Sequence, residues 1–138
     1  MKKSTKRRET HYHTGVFESK KGGSISYRSG WEKSLCEYLD ADSSVISYSY
    51  ESIKIPYTTS VRSRRIRTYI PDFSIEMTND RHILCEVKPL NRVMQVKNQK
   101  KFEAAENWCK ENGYEFIIIT EFELKQLSHD SVGCNITV

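Results

Sequence analysis

The chain has 138 residues, 37% of them hydrophobic, with a formal net charge of +4. That length supports one buried core and is too short for two ordinary domains. No apolar run approaches the roughly 20 residues of a membrane span, and the N-terminus lacks the apolar stretch of a secretory signal, so a soluble intracellular protein is expected. Cys36, Cys85, Cys109 and Cys134 form no CxxC pair. They therefore suggest neither a zinc site nor a disulfide framework, and three of them fall in apolar patterns as small buried thiols.

The charge is uneven. Residues 1–24 hold seven Lys or Arg against two acids, while the other 114 residues hold 15 against 16. The basic excess belongs to an N-terminal arm, read as flexible and ending near Gly22-Gly23. Such an arm suits either a phosphate backbone or simple solubility. His11 and His13 lie in this arm and read as solvated. The expected organisation is an arm over 1–24, a domain over 25–127 and a tail over 128–138.

After the arm, Trp31, Leu35, Tyr38 and Leu39 recur at helical spacing and predict a first helix from Ser29 to Asp40. Val45 to Tyr50 and Ile53 to Tyr57 read as strands. Residues 58–64 lack an apolar pattern and lead into Arg62, Arg64, Arg65 and Arg67, a hairpin loop with a basic tip. Ile66 to Met77 and His82 to Val87 are strand-like, joined by the turn formers Thr78-Asn79-Asp80-Arg81. The middle of the domain is thus predicted to be an antiparallel meander.

Beyond a polar connection after Pro89, a helix from Gln95 to Asn112 places Phe102, Ala105 and Cys109 on one face, and Gly113 suits a left-handed C-cap. Tyr114 to Thr120 reads as a buried strand parallel to a neighbour. A short helix from Glu121 to Leu127 follows, with Thr120 and Glu123 as a capping box. The fold class is therefore α/β, with a mixed sheet flanked by helices.

Two strand ends carry the chemistry. Glu86 and Lys88 share one side of their strand, and Asp72 ends the preceding run, so pairing of the two runs puts Asp72 beside Glu86. Two hard oxygen ligands with an open coordination sphere suit Mg²⁺, and the Lys88 ammonium can orient or deprotonate a water. Glu32 is a third candidate carboxylate. Its Ser29-x-x-Glu32 spacing equally makes a helix cap, and on pattern alone the cap is favoured. Arg62, Arg64, Arg65 and Arg67 suit a polyanionic substrate. Lys97, Lys100 and Lys101 either extend that surface or only solvate it. Tyr48, Tyr50, Tyr57 and Tyr69 read as sheet packing.

In this order and on these elements, Glu32, Pro71-Asp72 and Glu86-Val87-Lys88 resemble the PD-(D/E)XK nuclease superfamily. The strings Tyr27-Arg28-Ser29-x-Trp31-Glu32-Lys33, Ile55-Pro56-Tyr57, Tyr69-x-Pro71-Asp72-Phe73 and Glu86-Val87-Lys88-Pro89 are similar to the TnsA-type transposon endonucleases and to the head-completion nucleases of T-even-like phages. The resemblance implies a restriction-endonuclease-like sheet and endonuclease activity. It implies Mg²⁺, with Mn²⁺ as a substitute, on Asp72, Glu86 and the Val87 carbonyl. Lys88 would activate water and Glu32 would complete the site. Arg28, Ser29, Arg62, Arg64, Arg65, Arg67, Lys97 and Lys101 would contact DNA. The chain ends before the second domain of a transposon TnsA protein, which points to a stand-alone phage or mobile-element nuclease. It would act in the cytoplasm of a bacterial or phage-infected cell, or with the virion, beside transposase-like or phage-assembly partners. Two other functions fit the same residues: a DNA-binding or virion-assembly protein that keeps the fold, and a Holliday-junction resolvase.

Overall fold

The computed structural model describes residues 13–59, 62 and 65–129, the side chains of Ser128 and His129 excepted. The first regular elements lie in the segment expected to be an arm. Strand β1 (Gly15–Ser19) and strand β2 (Gly23–Tyr27) form an antiparallel hairpin, and Ile25 at its centre is buried. Gly22 lets the turn approach closely, since a Cβ there would lie 2.8 Å from the Tyr48 carbonyl oxygen. The ordered domain thus begins before residue 25. Residues 1–12 and 130–138, with the remainder of the expected arm and tail, lie outside the described residues.

Helix α1 (Gly30–Ala41) starts at Ser29, whose hydroxyl accepts the Glu32 N–H at 3.2 Å. It has no basic residue in its last turn. Lys21 supplies one from the hairpin instead, donating to the carbonyls of Leu39 at 3.0 Å and Asp42 at 2.6 Å. A cation at that end satisfies orphan carbonyls and opposes the helix dipole. Part of the basic excess read as an arm is therefore structural.

Strand β3 (Val45–Tyr50) leads into a hairpin of strand β4 (Ile55–Thr58) and strand β5 (Ile66–Tyr69). Strand β6 (Phe73–Met77) then returns to pair with β3, and strand β7 (His82–Val87) pairs with β6. The expected meander is corrected here. The β4–β5 hairpin forms a sheet of its own, and the run from Ile66 to Met77 is two strands rather than one. Pro71 lies in the break and offers no N–H to a ladder.

Helix α2 (Leu90–Val93), not anticipated from the polar sequence after Pro89, and helix α3 (Val96–Asn112) cross over to strand β8 (Glu115–Ile119), parallel to β7. Helix α4 (Glu121–His129) closes the described chain, its start fixed by Thr120 and Glu123. The central sheet has the order β3-β6-β7-β8, a mixed α/β arrangement of the restriction-endonuclease type. None of the described helices is long and apolar enough to cross a membrane.

Alternation along β7 divides the core. Ile83, Cys85 and Val87 join α1, the β1–β2 hairpin and α4 on one face, while Leu84 packs with Phe102, Ala105, Cys109, Ile55 and Tyr69 under α3. Cys36, Cys85 and Cys109 are buried free thiols, as expected; Cys134 lies outside the described residues. Gly113 caps α3 at φ 74°. Gly113→Ala is expected to cost about 1 kcal/mol, read by urea denaturation.

Candidate active site

The last residue pair of the β6–β7 ladder is Phe73 with Cys85. Asp72 stands one residue before β6, Glu86 and Val87 end β7 and Lys88 follows directly, so the three polar side chains meet at the end of the sheet. Asp72 Oδ2 accepts the Val87 N–H at 2.8 Å, and Glu86 Oε2 accepts the Asp72 N–H at 3.3 Å. Each strand thus holds the other's carboxylate through its backbone.

Glu32 reaches the same cleft from α1. Its Oε1 accepts the Arg28 N–H at 2.9 Å and the Tyr50 hydroxyl at 2.5 Å. The helix cap comes from the Ser29 hydroxyl, so cap and carboxylate do separate work and the apparent conflict between them disappears. Glu32, Asp72 and Glu86 are 7%, 8% and 5% exposed.

Such burial is costly for carboxylates. It pushes the Asp72 acid well above the usual carboxylate range, and repulsion from Glu86 and then Glu32 adds to the rise. Burial raises Glu86 too, against the Tyr69 hydroxyl, Lys88 and the Asp72 N–H. Lys88 Nζ stands 3.5 Å from Glu86 Oε1 and 3.4 Å from Asn98 Oδ1, and lies over the Phe102 ring at 5.8 Å from its centroid. Its ammonium offsets part of the cost of ionising both buried acids.

These residues line a cleft of about 540 Å³ together with Arg28, Ser29, Glu51, Tyr69, Arg92 and Lys101. Residues 42–121 match the family described as TnsA-like endonuclease N terminal. This chain belongs to the TnsA-like endonuclease N-terminal family. It is also 27% identical to the head completion nuclease of Enterobacteria phage T4 over 124 residues, covering 75% of this chain and 83% of that protein. The family match takes in Asp72, Glu86 and Lys88 but begins after Glu32, which the fold brings to the same cleft.

Within this TnsA-like domain, the basic residues expected on DNA divide. Arg28, Ser29 and Lys101 reach the cleft wall. Arg62, Arg65 and Arg67 are exposed on the β4–β5 hairpin, and Lys97 is exposed on α3, all outside that wall. Arg64 lies outside the described residues. Burial lowers the Lys101 pKa, and Lys88, Lys97 and Arg67 push it lower, against Glu86. Positive charge is therefore crowded beside the acids.

Three side chains went unread in the sequence. The Tyr69 hydroxyl donates to Glu86 Oε2 at 2.7 Å, and the Tyr50 hydroxyl donates to Glu32. Both had been read as packing, and both also pack, against Phe102 and Phe73 respectively. Asn98, 2% exposed on the inner face of α3, accepts from Lys88 and donates to the Arg92 carbonyl at 2.7 Å. A lone amide on an apolar helix face was the available signal for it.

The donor set can be tested against a divalent ion. Among the described residues no group of three His, Cys, Asp or Glu is set to hold a metal. Asp72 and Glu86 therefore offer a two-carboxylate pair, with Glu32 held back by Arg28 and Tyr50. Mg²⁺ is commonly held by one or two carboxylates, with water and substrate phosphate completing the octahedron. The pair fits that demand, and a divalent ion would favour the ionised form that burial opposes at both Asp72 and Glu86.

Proposed function

We propose that this chain is a Mg²⁺-dependent DNA endonuclease, accepting Mn²⁺ in place of Mg²⁺. The observation that carries the reading is the convergence of Asp72, Glu86 and Lys88 at one sheet end, inside a cleft walled by Arg28, Arg92 and Lys101. Asp72, Glu86 and the Val87 carbonyl would hold the ion, with Glu32 acting through water. When bound, the ion supplies Lewis-acid polarisation of the phosphate oxygens.

The protein's own groups do the rest. Arg28 and Lys101 bind the phosphates flanking the scissile bond, while Arg62, Arg65, Arg67 and Lys97 extend the contact outward. Lys88 orients the attacking water and offsets charge developing on the phosphoryl oxygens. The water oxygen bonds to phosphorus, the bond to the 3′ oxygen breaks, and that oxygen leaves as a hydroxyl after taking up a proton. Asn98 fixes the Lys88 ammonium, and Tyr69 with the Asp72 N–H fixes Glu86. The T4 relative is named for head completion, which motivates a setting in phage assembly within the infected cell.

Cleavage of linear, single-stranded, branched and supercoiled DNA with Mg²⁺ or EDTA tests the reading. Metal-dependent cutting is expected. No cutting of any substrate would overturn it in favour of a binding or assembly protein, and exclusive cutting of four-way junctions by a dimer would favour a resolvase. Tyr69→Phe is expected to weaken Mn²⁺ affinity about 10- to 100-fold, the usual effect of losing a group that orients a ligand. Titrating Mn²⁺ against the melting temperature measures this without any cleavage assay.

A further inference from the structure

The segment following Lys88 carries a surface that hydrolysis does not use. On the short elbow between α2 and α3, Leu90, Met94 and Val96 are 43%, 71% and 75% exposed. Single exposed apolar residues are ordinary, but three on one elbow beside a charged cleft mark a contact surface. Pro89 and Arg92 of the same segment line the cleft.

The elbow is held firmly. The N–H groups of Arg92 and Val93 donate to the Pro89 carbonyl, the Gln95 N–H donates to the Arg92 carbonyl, and the Leu90 N–H donates to Glu121 Oε1 at 2.9 Å. Its apolar residues are thus presented on a braced base.

Charge states what they face. Helix α3 has no acid in its first turn and carries Lys97 there, with Lys100 and Lys101 just beyond. Cations at the positive end of a helix dipole are unfavourable. A polyanion lying across the elbow reverses that penalty, and nucleic acid is a polyanion that also offers apolar base faces.

Resting on the endonuclease reading, we propose that the Leu90–Val96 elbow is a strand-separating wedge for DNA. Met94 and Val96 press against base faces where the strands part, and Arg92 and Lys97 hold the phosphates on either side. Aliphatic wedges of this kind unstack neighbouring bases, at least cost where pairing is already broken. The substrate class is accordingly DNA with a fork, flap or frayed end, cut beside the discontinuity.

The test uses the full chain carrying Asp72→Asn, so that DNA is bound and not cut. Three probes are compared: a continuous duplex, a single strand, and a forked duplex with 2-aminopurine at its last base pair. The fork is expected to bind about tenfold tighter than the duplex, with 2-aminopurine fluorescence rising on binding. Adding Met94→Ser and Val96→Ser is expected to abolish the rise and bring the two affinities within about twofold, at unchanged melting temperature. Met94→Leu with Val96→Ile is expected to keep both effects, which separates apolar contact from loss of fold. Equal affinity for fork and duplex, an unchanged fluorescence, or a serine variant that behaves as its parent overturns the wedge. The last result assigns the elbow to a protein partner. Failure of the endonuclease reading shows separately, as absence of metal-dependent cutting by the wild type.

Discussion

Asp72→Asn is expected to remove cleavage by about a thousandfold or more while making the metal-free protein more stable. The rate loss follows from removing one of two proposed carboxylate ligands, whose ion contributes several kcal/mol to charge stabilisation. The gain in stability follows from electrostatics. Asp72 is buried beside Glu86 and Glu32, and its acid titrates well above the ordinary 3.8. A carboxyl whose folded-state pKa is raised stabilises the fold fully below the unfolded pKa. That contribution is lost as pH rises toward the folded value. The metal-free wild type is therefore expected to lose stability as pH rises above the ordinary carboxylate range toward the raised folded-state value, and the variant to lose less. An asparagine oxygen still accepts the Val87 N–H, so the strand end is retained. Melting temperatures across pH in EDTA, and again with Mg²⁺, measure both halves. A metal-induced rise in the wild type that vanishes in the variant is the expected pattern. An equal rise in both would remove Asp72 from the metal site.

Lys88→Met is expected to lower the cleavage rate by about 10²–10⁴, with the metal-induced rise in melting temperature preserved. Methionine keeps an unbranched apolar side chain and deletes the ammonium, with its contact over the Phe102 ring. Glu86 Oε1 then loses its nearby cation, so the affinity for a divalent ion is expected to hold or increase. Single-turnover rates at saturating metal, set beside a Mn²⁺ melting titration, separate the two effects. Wild-type rates in this variant would exclude Lys88 from the chemistry.

The legible part of this domain was the part encoded locally. Period-two alternation put Glu86 and Lys88 on one side of β7, Ser29 marked the start of α1, and Gly113 marked the end of α3. The nuclease resemblance named the family correctly because Asp72, Glu86 and Lys88 stand at its spacing. What escaped depends on contacts between distant segments. The run from Ile66 to Met77 reads as one strand, because only pairing with β4 on one side and with β3 and β7 on the other divides it. The hairpin of β1 and β2 looked like a polar arm, since Ile25 and Phe17 are the main apolar anchors between its charges. Tyr69 and Tyr50 follow the pattern of packing aromatics, and nothing local shows which hydroxyl will meet a carboxylate.

Asn98 joins the two ends of the cleft in a way that constrains how this domain can change. Its oxygen accepts from Lys88 at the chemical centre, and its nitrogen donates to the Arg92 carbonyl at the base of the elbow. One small amide thus links the position of the ammonium to the position of the rim. A shift of Arg92 is expected to be felt at Lys88 through these two bonds, in parallel with the backbone that joins them. Aspartate in that place keeps the hold on Lys88 and releases Arg92, and leucine releases both. Asn98 is thus the side-chain tie between rim and centre, laid beside the backbone tie in which the Pro89 carbonyl, next to Lys88, holds the Arg92 N–H.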